Sequence, residues 1–264
     1  MKTKIYYFSA TGNCLYIAKK LSENIDNTEL VSITREFKNK KINIKSNKIG
    51  FIVPVYAWGL PRIVEDFLKK ITTIQADYIF GIASCAGTPG STLKKLDKLI
   101  KKKGNKLNAG FVVTQKSYTL MESNLFMDIM IKIAGKMPET FNRRLDSVLD
   151  IIKSCQKHEI ESSSKAANIF GAFIHKIALK FFKKAGKDFW VNDKCNNCGI
   201  CVDICPRNNI KLIDKNPSWE NNCEFCMACL QWCPQEAIEY QDISKNKKRI
   251  HNENVKIDDL IDKR

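Results

Sequence analysis

Residues 4–25 read KIYYFSATGNCLYIAKKLSENI: an apolar run the length of one strand, a small polar loop, then apolar residues three and four apart. A strand that passes through a tight loop into an amphipathic helix is the opening of a parallel α/β unit. The pattern repeats downstream. ELVSI (29–33), IGFIVPV (49–55), YIFGIAS (78–84) and LNAGFVVT (107–114) read as further strands. LPRIVEDFLKKI follows the third strand and STLKKLDKLIKKKG the fourth, each with helical periodicity, the latter ended by Gly104. Strand and helix in alternation predict a doubly wound α/β domain, a parallel five-stranded sheet over residues 1–115 with helices on both faces.

Eight of the 11 cysteines lie in two strings, CNNCGICVDICP and CEFCMACLQWCP. Cys195, Cys198, Cys201 and Cys205 precede Pro206; Cys223, Cys226, Cys229 and Cys233 precede Pro234, 28 residues later. Each string is C-x2-C-x2-C-x3-C-P, whose first three thiolates surround one iron–sulfur cube while the fourth ligates the other cube. The predicted sets are therefore Cys195, Cys198, Cys201 and Cys233 for one cluster and Cys223, Cys226, Cys229 and Cys205 for the other. Zinc, the alternative, takes four ligands and would leave the third cysteine of each run surplus. The segment 191–240 resembles bacterial two-cluster ferredoxins, and both motifs match that family in full. The resemblance implies two 4Fe–4S clusters carrying one electron each, in a small α+β module.

The first loop, SATGNC (9–14), offers hydroxyls on Ser9 and Thr11, a turn at Gly12 and free amides at a helix start, which together cradle an anion. It resembles the phosphate loop of flavodoxins at Ser9, Thr11, Gly12 and Asn13, and departs from it at Cys14, where that family carries a hydroxyl. Two more loops leave the same sheet edge, where ligands of such folds bind. PVYAWGLP (54–61) presents Tyr56, Trp58 and Gly59; either aromatic can face an isoalloxazine ring or pack in the core. SCAGTPG (84–90) presents Ser84 and Gly87, while Cys85 reads as a small buried residue. Together the loops predict bound FMN, and the whole chain resembles a flavodoxin-like domain fused to a bacterial ferredoxin domain.

The 264 residues are divided accordingly: a flavodoxin-like domain over 1–160, a basic amphipathic connector helix over 161–189, the two-cluster module over 190–240 and a polar tail over 241–264. Residues 119–160 read as helical with a break at Pro138, and 160–165 as a polar linker. In the connector, Ile169, Phe173, Ile177 and Phe181 form a stripe beside Lys176, Lys180 and Lys184, expected to pack on the sheet domain rather than lie on a membrane surface.

The chain carries 44 basic and 28 acidic side chains, net +16, unevenly: residues 1–190 hold 33 and 16, residues 191–264 hold 11 and 12. The lysines are spread over helix faces without a nucleic-acid-binding motif, so a solvated surface and no nucleic-acid partner are expected. Residues 191–240 hold four basic and seven acidic groups, which suits docking on the basic front half of the chain or on a basic external partner. No apolar run reaches the length of a membrane span, and no signal peptide opens the chain, so a reducing cytoplasmic compartment is expected, with metal ligands rather than disulfides. His158, His175 and His251 are isolated in sequence. The expected function is electron transfer between protein partners. The rival is a flavin reductase using NAD(P)H or a small acceptor, for which no dinucleotide fingerprint or evident acid–base residue speaks. A third reading keeps the sheet domain as a flavin-free scaffold.

Overall fold

The computed structural model describes residues 1–115 and 141–261. These fall into two compact units: Met1–Phe8 with residues 14–115 and 141–176, and Ser9–Asn13 with residues 177–261.

The first unit is built on five parallel strands, β1 (Thr3–Tyr7), β2 (Thr28–Ser32), β4 (Lys48–Pro54), β6 (Tyr78–Cys85) and β7 (Ala109–Thr114), in the order β2-β1-β4-β6-β7. This is the doubly wound order in which the chain reverses direction beside β1. All five strands lie where the sequence pattern expects them. Helices α1 (Asn13–Ser22), α3 (Arg62–Lys70) and α4 (Thr92–Lys101) cross over between strands. A sheet covered on both faces needs strands that are apolar throughout, and β4 and β6 are buried along nearly their whole length. Phe51, Phe80, Phe111, Ile17, Phe67 and Leu96 are all fully buried in the core.

Two strands escape the sequence reading: β3 (Ile42–Lys45) and β5 (Ile71–Gln75) form a separate parallel pair, joined to a one-turn helix α2 (Ile33–Glu36) upstream. Of the region read as helical over 119–160, residues 116–140, Pro138 included, lie outside the described residues. The rest contains α5 (Phe141–Lys153), whose last carbonyls, Ile152 O and Lys153 O, accept hydrogen bonds from the buried Lys48 Nζ at 3.0 and 2.8 Å. A cation at a helix C-terminus is favoured by the carbonyl dipoles left unpaired there.

Residues 158–163, read as the end of the helical stretch and the start of the polar linker at 160–165, instead line the outer edge of β7. His158 N donates to Asn108 O, Glu161 N to Gly110 O, and Val112 N to the Glu161 carboxylate, at 3.0, 3.2 and 2.7 Å. The unsatisfied edge of an open sheet supplies the partners that a polar stretch would otherwise find in water.

Helix α6 (Lys165–Lys184) follows and corrects one expectation. Its apolar stripe does not pack inward: Ile169, Phe173, Ile177 and Phe181 are 76, 65, 53 and 50% exposed. The inward side carries Gly171 and His175, because only a small residue fits where a Cβ would stand 3.0 Å from Trp58 Cβ. Among the described residues, no helix is long and apolar enough to cross a membrane.

In the second unit β8 (Phe189–Val191) pairs with β11 (Ile238–Tyr240) and β9 (Ile210–Ile213) with β10 (Asn216–Trp219), both antiparallel, with one-turn helices α7 (Ile200–Asp203) and α8 (Ala228–Gln231) between. Phe189, Trp219, Phe225 and Tyr240 pack together at centroid distances of 4.9 to 5.5 Å, with Phe189 stacked on Trp219. The tail is structural rather than loose. Arg249 Nη2 donates to Ile238 O at 2.8 Å and pairs with Glu239 at 2.9 Å, both side chains buried.

Candidate functional site

The two cysteine strings fold alike because their backbones do. Left-handed residues recur 28 positions apart at Asn197 and Phe225, Gly199 and Met227, and Asn208 and Glu236. Gly199 and Met227 each start a one-turn helix, α7 and α8, that presents the third cysteine. Asn209 N donates to Cys205 Sγ and Ala237 N to Cys233 Sγ, both at 3.3 Å and again 28 residues apart. Amides aimed at sulfur stabilise charge on it.

A cavity is lined by Cys195, Cys198 and Cys201 of the first string together with Cys233 of the second. The other four thiols keep each other's company: Cys226 and Cys229 both have Cys205 and Cys223 as electrostatic neighbours. The ion pair of Arg207 with Glu224, 2.9 Å and almost fully buried, joins the residues that follow Cys205 and Cys223. Among the described residues, no set of three or more His, Cys, Asp or Glu side chains is arranged for a single metal ion. Burial pushes the Cys201 thiol up to about 12, with Cys233 and Cys198 adding to it, and pushes Cys226 and Cys229 well above the ordinary thiol value. Thiols so disposed are protonated on their own and become thiolates on coordinating a metal.

The three loops expected to hold FMN follow β1, β4 and β6, all at the carboxyl edge of the sheet. In the loop after β1, Gly12 takes φ +98° and Ser9 Oγ is buried without a hydrogen-bond partner. An orphaned buried hydroxyl of this kind fits an anionic ligand oxygen. Thr11 and Asn13 are half-buried in the same loop. The Cys14 thiol opens the buried side of α1, pushed above its ordinary range by burial and hydrogen-bonded to Ser84. Ser84 Oγ donates to Gln115 Oε1 at 2.9 Å. Cys85 donates its thiol to Gly87 O and is pushed up to about 11 by burial, a neutral donor rather than a nucleophile. Gly87 itself faces open space.

After β4, Tyr56 and Gly59 exchange backbone hydrogen bonds across Ala57 and Trp58, both with left-handed φ, at 46° and 64°. A tryptophan held there is strained, and such strain concentrates at ligand-binding turns. Tyr56 meets Phe8 edge-on at 6.2 Å, while Trp58 Nε1 donates to Thr88 Oγ1 at 2.9 Å, joining the second and third loops.

A flavodoxin domain model matches residues 4–141. That is more than half of the chain. The chain belongs to the flavodoxin domain family. Beyond its flavodoxin domain, a 4Fe-4S dicluster domain model matches residues 194–238. The chain is thus a redox protein of the flavin and iron–sulfur kind. Among solved structures it is similar to general stress protein 14 in complex with FMN from Treponema denticola (12% identity, 58% of this chain and 99% of that one, TM-score 0.37). It is also similar to a flavoprotein in complex with FMN from Lactobacillus acidophilus (18%, 43% and 92%, 0.33). A third is the rubredoxin oxygen:oxidoreductase of Desulfovibrio gigas (17%, 56% and 37%, 0.33). No curated protein matches.

Two histidines that look isolated in sequence have defined places. His175, outside the matched flavodoxin segment, donates Nδ1–H to Tyr56 O at 2.9 Å, and its ring lies 2.7 Å from where a Cβ on Gly59 would stand. Burial lowers its pKa, keeping the imidazole neutral. His251 stacks on Trp232 at 3.8 Å. Neither has a sequence signal, since each is placed by long-range packing.

Proposed function

We propose that this chain is an electron carrier that holds FMN at the carboxyl edge of its sheet and two 4Fe–4S clusters on its C-terminal module. The observation that carries the reading is the cavity shared by Cys195, Cys198, Cys201 and Cys233, since a thiol from the far string belongs with the first three only in a crossed two-cluster module. When bound, FMN exchanges electrons in pairs or singly and each cluster exchanges one. The protein's own part is placement: Ser9, Thr11, Gly12, Asn13 and Cys14 for the phosphate end, and Tyr56, Trp58, Gly59, Ser84 and Gly87 for the ring end. The excess of acidic groups on the module, increased by thiolate-bound clusters, suits a basic partner protein.

Anaerobic absorption with metal, sulfide and flavin analysis is expected to give about eight iron, about eight sulfide and one FMN per chain. Oxidation of NADH or NADPH is expected to be no faster than with free FMN; turnover well above that would make the protein an oxidoreductase instead. Trp58→Ala is expected to weaken FMN by about tenfold and to shift its visible bands, since a buried indole face is worth more than 1 kcal/mol. Unchanged affinity and bands would return Trp58 to a packing role and leave Tyr56 as the ring's neighbour.

A further inference from the structure

The loop Ser9–Asn13 belongs to the C-terminal unit and is gripped there from one side. Trp232 Nε1–H donates to Ala10 O at 2.8 Å, and the backbone N–H of Asn252 donates to Thr11 O, also at 2.8 Å. Asn252 Nδ2 donates to Asn13 Oδ1 at 3.0 Å. Both gripping residues are buried, Trp232 8% and Asn252 5% exposed, and His251 stacks flat on the indole.

These bonds fix more than carbonyls. Among the described residues no peptide bond is cis. In a trans peptide the C=O and the following N–H point in opposite directions. With Ala10 C=O turned to Trp232 and Thr11 C=O turned to Asn252, the Thr11 and Gly12 amides face away from both. Among the described residues neither amide donates to a backbone carbonyl, and the adjacent Ser9 Oγ is the buried hydroxyl without a partner. Successive free amides beside a hydroxyl make an anion-binding concavity.

We propose that Trp232 and Asn252 are positioning residues of the phosphate site: they touch no ligand, but aim the Thr11 and Gly12 amides at the phosphate of FMN. The proposal rests on the reading that this loop binds FMN. It makes the residue adjoining the cluster ligand Cys233 a determinant of flavin affinity. By linkage, FMN in turn steadies the segment that carries Trp232 and Asn252.

The parent protein is titrated with FMN before any variant is made, and failure to bind there overturns the flavin reading itself. In a parent that binds, Trp232→Phe keeps the ring on His251 and removes only the donor. FMN is expected to bind about fivefold more weakly, the equivalent of one neutral hydrogen bond or about 1 kcal/mol. With Asn252→Ala added, the loss should exceed tenfold. At saturating FMN the phosphorus NMR shift of the bound phosphate is expected to move while the visible flavin bands and the iron content stay as in the parent. An unchanged affinity, or visible bands that move with it, would overturn the proposal, because the effect would then be nil or a general loosening.

Discussion

In reduced Cys205→Ala, the paramagnetic resonance signal that is missing is expected to be the one that reduced Cys223→Ala also lacks, although Cys205 belongs to the other string. Cys233→Ala is expected to behave like Cys195→Ala. Cys205 and Cys223 both neighbour Cys226 and Cys229, while Cys233 lines the cavity of Cys195, Cys198 and Cys201. Each variant keeps four thiolates for one cluster, so iron should fall from about eight to about four per chain rather than to zero. Thermal stability should fall too, since Cys201, Met227 and Leu230 share a core with the cysteines. A Cys205→Ala variant that shares its missing signal with Cys195→Ala would mean that each string closes on its own cluster.

Gly12→Val is expected to lose FMN by at least tenfold while retaining its iron. Two costs combine. Gly12 holds φ +98°, a backbone state that a β-branched residue reaches only at about 1–3 kcal/mol. A Cβ there would also stand 2.8 Å from Asn252 Cβ and 3.2 Å from Val255 Cβ, both on buried residues that have little room to withdraw. The loop must then move, and with it the amides that face the phosphate. Cys14→Thr serves as the counterpart: it adds a hydroxyl without altering the turn, and is expected to bind FMN no more weakly. Equal FMN affinity in a folded Gly12→Val protein would remove the phosphate from this loop.

The sheet and the cysteine strings were legible because local pattern and function coincide there. Strands such as IGFIVPV are apolar on both faces for the same reason that they are central, and thiol spacing is itself the ligand geometry. What escaped was fixed by distant partners. INIK at Ile42–Lys45 alternates like many polar loops and becomes a strand only opposite Ile71–Gln75. The stripe on α6 has the spacing of a buried face, yet Gly171 and His175 decide the contact, because close approach to Trp58 and Gly59 selects for a small residue over an apolar one. Asn252 carries no motif at all; its role depends on an atom 239 residues away, at Asn13.

The segment at residues 158–163 bears on where this protein can be cut. Bare strand edges invite pairing between copies, and here the outward side of β7 is closed by Glu161 and His158 rather than by another strand. The matched flavodoxin segment ends at residue 141, short of that cover. A fragment trimmed to the family boundary would therefore expose a ready template for self-association, and the smallest soluble excision of the sheet domain has to run past Glu161.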